Sequence, residues 1–99
     1  MVKPISREDE TNIPAFSSHK EAASFFKETY GADFVFEGSE MVGDIICYFY
    51  SLVSDHGAYR KGRKLLSQGQ SVSGEFGMKF ISSYQPVQIM ENGNVHIVH

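Results

Sequence analysis

The apolar positions between residues 18 and 30 repeat at the spacing of one helical face. Apolar residues three and four positions apart lie on one side of a helix. This stripe consists of Ala22, Phe25, Phe26, Thr29 and Tyr30. Ser18 and Glu21 have the spacing of a capping box at the start, and Gly31 suits the left-handed residue that ends a helix. The pattern therefore predicts a helix over 18–30.

After this helix, the sequence changes to an alternating pattern that is typical of a strand. In residues 32–37, Phe34 and Phe36 fall on one face of a predicted strand. We expect both rings to pack against the helical stripe. Residues 38–40 (Gly-Ser-Glu) are predicted to form a turn.

Residues 41–54 form an almost continuous apolar run. One face of a strand here would carry Tyr48 and Tyr50, and the other face is apolar as well. A strand that is apolar on both faces is usually central or covered on both sides. A buried helix is the alternative, but the β-branched and aromatic content favours a strand. We expect the tyrosine face to be covered by residues 57–67, by the N-terminal segment or by a second copy of the chain.

The last third of the sequence predicts three further strands. Within 71–82, Val72, Gly74, Phe76, Met78 and Phe80 alternate with other residues, which is typical of a strand with a buried face. Asn92-Gly93 separates two alternating segments, 87–91 and 94–98. This dipeptide favours the turn of a two-stranded hairpin, because both of its residues tolerate positive φ.

Two segments have weaker patterns. Residues 55–70 are predicted to form a loop with about two helical turns, which Asp55 would cap and Gly69 would end. Residues 1–15 contain two prolines and a polar run, so we expect an irregular and flexible arm. A single folded domain is then predicted over 16–99.

Together these elements predict an α+β fold, in which one N-terminal helix packs on a largely antiparallel sheet of four to five strands, as a two-layer sandwich. The chain has 99 residues, 41% of them hydrophobic, which is enough for one modest core. A single cysteine excludes an intramolecular disulfide framework. No apolar run is long enough for a membrane span, and the polar first 20 residues do not suit a signal peptide. We therefore expect a cytoplasmic protein.

The distribution of charge identifies one basic segment in an acidic chain. The net charge is −3, with ten acids and four bases in residues 1–55. Residues 56–64 contain four bases and no acid. The bases are Arg60, Lys61, Arg63 and Lys64, and the aromatic residue Tyr59 directly precedes them in the sequence. Such a group can neutralise phosphates and stack a base, although a solvated surface segment has the same composition.

No residue pattern predicts catalysis or a bound cofactor. Gly57 and Gly62 have the spacing of a phosphate-binding loop, but the lysine and hydroxyl residues that should follow are absent. His96 and His99 would point to opposite faces of a strand, which does not suit a metal ion. Cys47 lies within an apolar strand and is predicted to be a buried small hydrophobe.

The sequence therefore favours a small, non-enzymatic binding or regulatory protein that acts through protein contacts. The candidate contact residues are Tyr48, Tyr50 and the hairpin 87–98, and a homodimer is the simplest way to cover the tyrosine face. The alternative is a nucleic-acid-binding accessory protein that uses the basic residues 59–64. A helix followed by an antiparallel meander occurs in unrelated folds, so this order predicts no activity.

Overall fold

The computed structural model describes residues 3–99. Its elements are α1 (Arg7–Thr11), α2 (His19–Tyr30), a 3₁₀ turn (Gly31–Asp33), β1 (Phe34–Val42), β2 (Ile45–Val53), α3 (His56–Ser67), α4 (Gly74–Ile81), β3 (Tyr84–Met90) and β4 (Val95–Ile97). The strands form one antiparallel sheet in the order β1-β2-β3-β4. The predicted α+β class is confirmed, with four strands and more helices than expected.

Helix α2 begins and ends where the sequence predicts. The Ser18 hydroxyl accepts a hydrogen bond from the Glu21 backbone N–H. The Glu21 carboxylate reaches back to Ser17 rather than to Ser18. Gly31 ends the helix at a φ of 58°, which residues with a Cβ rarely adopt.

The main core lies between α2 and the sheet face that carries the tyrosines of β2. Phe26 is fully buried, and its ring stacks on Phe34 with centroids 5.1 Å apart. Phe34 in turn stacks on Tyr50. Leu52, Val87, Ile89 and Ile97 complete this core from the strands. The tyrosine face is thus covered mainly by α2, which was not among the three covers expected. The N-terminal segment, which was one of them, adds Ile5 to this core, and Ile13 packs against it.

A second, smaller core lies on the opposite face of the sheet, under α3 and α4. It joins Val53 to Tyr59 and Phe80. Residues 71–82 are therefore not a strand, and the predicted strand is wrong. Val72, Phe76 and Phe80 are four residues apart, a spacing that places them on one face of a helix as well as on one face of a strand. The expected loop over 55–70 is likewise the twelve-residue helix α3, capped by Asp55 as anticipated.

The turn between the first two strands lies later than predicted. Strand β1 continues through residues 38–40, where the pairing shifts by one residue between Phe36 and Gly38. Such a bulge leaves one extra residue in the strand without breaking the ladder. The chain reverses at Gly43 and Asp44 instead, with Gly43 at a φ of 64°.

The N-terminal segment packs along the β4 side of the sheet. Ile5 is buried, and the Gln85 side chain bonds both its N–H and its C=O, at 2.7 and 2.9 Å. Residues 7–11 form the helix α1, so the expected irregular backbone is wrong there, and the mobility of the arm stays a prediction. Between residues 3 and 99, no helix has both the length and the apolar character needed to cross a bilayer.

Candidate functional site

The large hydrophobic side chains that are exposed on the strands of the sheet lie on the edge strand β1. Phe36 is 55% exposed, Met41 61% and Val42 48%. One edge of β1 pairs with β2. The outer edge of β1 pairs with no other strand within residues 3–99. A long edge strand with exposed apolar side chains is a surface on which another chain can pair. We call Phe34–Val42, with these exposed side chains, the β1 edge.

Phe36 is far more exposed than Phe34 because α2 covers Phe34 and does not cover Phe36. Phe34 lies beneath the helix and is 5% exposed. Phe36 makes a T-shaped contact with the Tyr50 ring, with centroids 5.4 Å apart and planes at 61°. The expectation that both rings belong to the core is therefore correct for Phe34 and wrong for Phe36.

An ion pair ties the β1 edge to α3. Glu37 is the extra residue of the bulge, and its Oε2 lies 2.7 Å from an Arg63 guanidinium nitrogen. The other carboxylate oxygen, Oε1, is buried and makes no hydrogen bond to the rest of the described chain. The bulge thus turns an acidic side chain toward the helix and brings a cation beside the middle of β1.

The two predicted tyrosines lie under the first turn of α2. The His19 ring stacks on Tyr48, with centroids 3.5 Å apart and planes within 7°. A hydrogen bond of 2.7 Å joins His19 Nε2 and the Tyr50 hydroxyl. Burial raises the pKa of Tyr50 and lowers the pKa of His19, which Lys27 lowers further. His19 is half-buried in this position.

The four predicted cations do lie together, on the solvent-facing side of α3. Arg60, Lys61, Arg63 and Lys64 are all exposed. Tyr59 is not part of this surface, because it is 8% exposed and packs against Phe80 and Tyr84. Its ring has no open face for a nucleic-acid base. Lys61 instead lies over the Phe76 ring, at 4.6 Å from its centroid.

The structure does not bring the predicted tyrosines and cations into one site. Tyr48 and Tyr50 belong to the α2 face of the sheet, whereas α3 lies on the other face. The three apolar residues of the β1 edge were missed. The Gly43-Asp44 pair allows a hairpin turn and could have indicated the β1–β2 hairpin, but not that β1 lies at the edge of the sheet.

The candidates for chemistry remain apart from one another. Asp44 is exposed in the β1–β2 turn, and Gly57 and Gly62 lie within α3 rather than in a loop. Cys47 is 1% exposed, as predicted, and burial raises the pKa of its thiol. Within residues 3–99, no three His, Cys, Asp or Glu side chains are grouped so that they could hold a metal ion.

Comparison with protein-family models, with curated proteins and with solved structures finds no match to this chain.

Proposed function

We propose that this protein binds other protein chains by adding a strand to its β1 edge. The observation that carries the proposal is a nine-residue edge strand with three large apolar side chains between 48% and 61% exposed. In strand addition, the backbone hydrogen bonds supply affinity and the alternate side chains supply specificity. Phe36 and Met41, on the α2 face of the sheet, would contact the side chains of the added strand.

The contrast between the two edges of the sheet supports this assignment. Strand β4 has three residues, and just beyond its end Gln85 of β3 bonds both Ile5 of the N-terminal segment and Val98. Glu10 also lies 2.5 Å from His99. Natural sheets protect an edge with short strands and covering segments. The β4 edge has both forms of protection, whereas β1 is long.

Affinity capture with matched variants tests the proposal. The wild-type chain, the double variant Phe36→Ser/Met41→Glu and the control Met78→Glu are each immobilised and exposed to an extract of the producing cells. Met78 is 73% exposed on α4, away from β1, so its variant matches the change in charge. We expect a protein, a second copy of this chain included, to be retained by the wild type and the control but lost from the double variant. If the three chains retain the same proteins equally, the β1 edge is not the binding surface.

A second candidate function rests on α3. Its exposed face carries four cations, and Arg63 has an acidic partner in Glu37. We propose, as the alternative, that this face binds the phosphates of a nucleic acid without base stacking. Contacts to few phosphates give weak binding that falls steeply with salt.

Fluorescence anisotropy of labelled single- and double-stranded oligonucleotides, at two salt concentrations, tests this alternative. The triple variant Arg60→Gln/Lys61→Gln/Lys64→Gln leaves the Arg63–Glu37 pair in place. Its control, Lys3→Gln/Lys20→Gln/Lys27→Gln, removes the same number of charges elsewhere. Salt-sensitive binding that only the α3 variant loses would support the alternative. Equal loss in both variants would show a general effect of net charge.

A further inference from the structure

We propose that the strand added to the β1 edge is the β1 strand of a second copy, in an antiparallel pair with its two-fold axis at Ser39. This inference rests on the proposed function, because it names the partner at the same surface.

The apolar side chains of β1 are complementary to themselves about Ser39. Without a bulge, residues 36 and 41 would point to opposite faces, because side chains alternate along a strand. The bulge at Glu37 and Gly38 changes the alternation, so that Phe36, opposite Tyr50, and Met41, opposite Ile46, share a face. A two-fold axis at Ser39 then sets Phe36 of each copy opposite Met41 of the other. Each copy covers the exposed side chains of its partner.

The other face of the paired strands is matched in the same register. Val35 of one copy lies opposite Val42 of the other, which is 48% exposed in the single chain. Both belong to the face that carries α3, because Val35 packs in the second core and Val42 pairs with Ile45. One register therefore pairs apolar residues on both faces of the sheet.

The charges of β1 also fit this register. The bulge residues Glu37 and Gly38 would lie opposite Glu40 of the second copy. Two carboxylates directly across a strand pair repel each other. Here Arg63 lies 2.7 Å from Glu37 and offsets its charge, and the other cations of α3 lie nearby. Each Glu40 would therefore approach the Arg63–Glu37 ion pair and a basic helix rather than a lone carboxylate. Glu40 itself is exposed in the single chain.

A pair of this kind is closed. The two-fold axis uses the same edge of both copies, and the other edge of each sheet lies beside its own N-terminal segment. The contact is a small one, in the class of interfaces that dissociate on dilution. We therefore expect a concentration-dependent dimer that does not grow into larger assemblies.

Disulfide trapping tests the position of the axis. In the Ser39→Cys variant, two cysteines would face each other across the strands, at a Cα separation that allows a disulfide. We expect rapid formation of a covalent dimer under mild oxidation. The control Met78→Cys places an equally accessible thiol on α4 and should remain monomeric. The native Cys47 is 1% exposed and contributes little background.

Sedimentation velocity over a range of concentrations gives the second measurement. We expect Met41→Glu to raise the dissociation constant of the dimer about tenfold or more, since the charge enters both symmetric contacts, whereas Met78→Glu leaves it unchanged. Circular dichroism verifies that both variants are folded.

The inference is overturned if the wild type is monomeric at all concentrations, or if Ser39→Cys forms no more dimer than Met78→Cys. In either case, capture of a different protein that depends on Phe36 and Met41 would still support strand addition at β1. If neither the dimer nor such a captured protein is observed, the proposed function is wrong as well.

Discussion

Gly62 determines how closely α3 approaches α4. A Cβ at this position would lie 2.1 Å from a ring carbon of Phe80, far inside van der Waals contact. Phe80 is itself buried between Tyr59 and Tyr84. The ring therefore fills the space that the glycine leaves. The two glycines that resemble a phosphate loop in the sequence are explained, at position 62, by helix packing.

We expect Gly62→Ala to destabilise the protein. Overpacking of a filled core costs about 1–3 kcal/mol, which exceeds or offsets the gain of about 1 kcal/mol from the helix preference of alanine. The control is Gly57→Ala in the same helix, where a Cβ meets Asp55 at an ordinary 3.5 Å. Urea denaturation should show a lower midpoint for Gly62→Ala and an unchanged or higher one for Gly57→Ala. Equal midpoints would contradict the close contact.

His19 makes the stability depend on pH. Burial, with the charge of Lys27, lowers its pKa in the folded chain below the usual value of about 6.5. The unfolded chain then binds more protons than the folded chain as the pH falls through this range, so the free energy of unfolding decreases. We expect a smaller decrease between about pH 7 and pH 5 in His19→Phe, which keeps an aromatic ring on Tyr48 but cannot titrate. Parallel pH dependence in the two proteins would show that His19 is not responsible.

At the scale of the element, α2 is the part that the sequence predicts best. Its cap, stripe and terminal glycine are all local, and they agree with one another. Helix α4 was mistaken for a strand because Phe76 and Phe80 are four positions apart, which is two strand periods and close to one helical turn. Only the packing of Phe80 against Gly62 and Tyr59 decides between them. A pattern that is read along one segment does not contain that contact.

The orientation of α4 is tested by two substitutions on residues that a strand would place on one face. Phe80 is 5% exposed and Met78 is 73% exposed. We expect Phe80→Ala to lower the free energy of unfolding by about 3–5 kcal/mol, and Met78→Ala to change it by about 0.5 kcal/mol or less. Chemical denaturation measures both. Similar large losses would indicate that both side chains are buried, as in the strand.

At the scale of the whole molecule, the proposed function depends on which strand lies at an edge. The sequence predicts the exposed cations of α3, since all four lie within residues 60–64 and no acid lies among them. It does not reveal that Phe36 is exposed while Phe34 is buried, because the two differ only in their position relative to α2. Nor does it reveal that the β4 edge is covered, since Ile5 and Gln85 are 80 residues apart. The β1 edge becomes visible only when the sheet order is known.

The attachment of the N-terminal segment can be tested at Gln85. Its buried side chain bonds the Ile5 N–H and C=O and the Val98 C=O. Gln85→Leu would leave these groups unpaired at a cost of about 1–3 kcal/mol for each that stays buried. We expect lower stability together with faster amide exchange in residues 3–16, measured by hydrogen–deuterium exchange. Unchanged exchange there would show that Gln85 does not hold the segment.

The same attachment imposes an order on folding during synthesis. The four strands follow one another in the sheet as they do in the chain, so each can pair with its predecessor as soon as it leaves the ribosome. Ile5 is made early, but its hydrogen bonds cannot form until Gln85, 80 residues later, has been added. The closure of this long loop therefore comes last. Until then, the β4 edge of the nascent sheet is as uncovered as the β1 edge. The newly made chain therefore has two uncovered edges, whereas the finished protein has one.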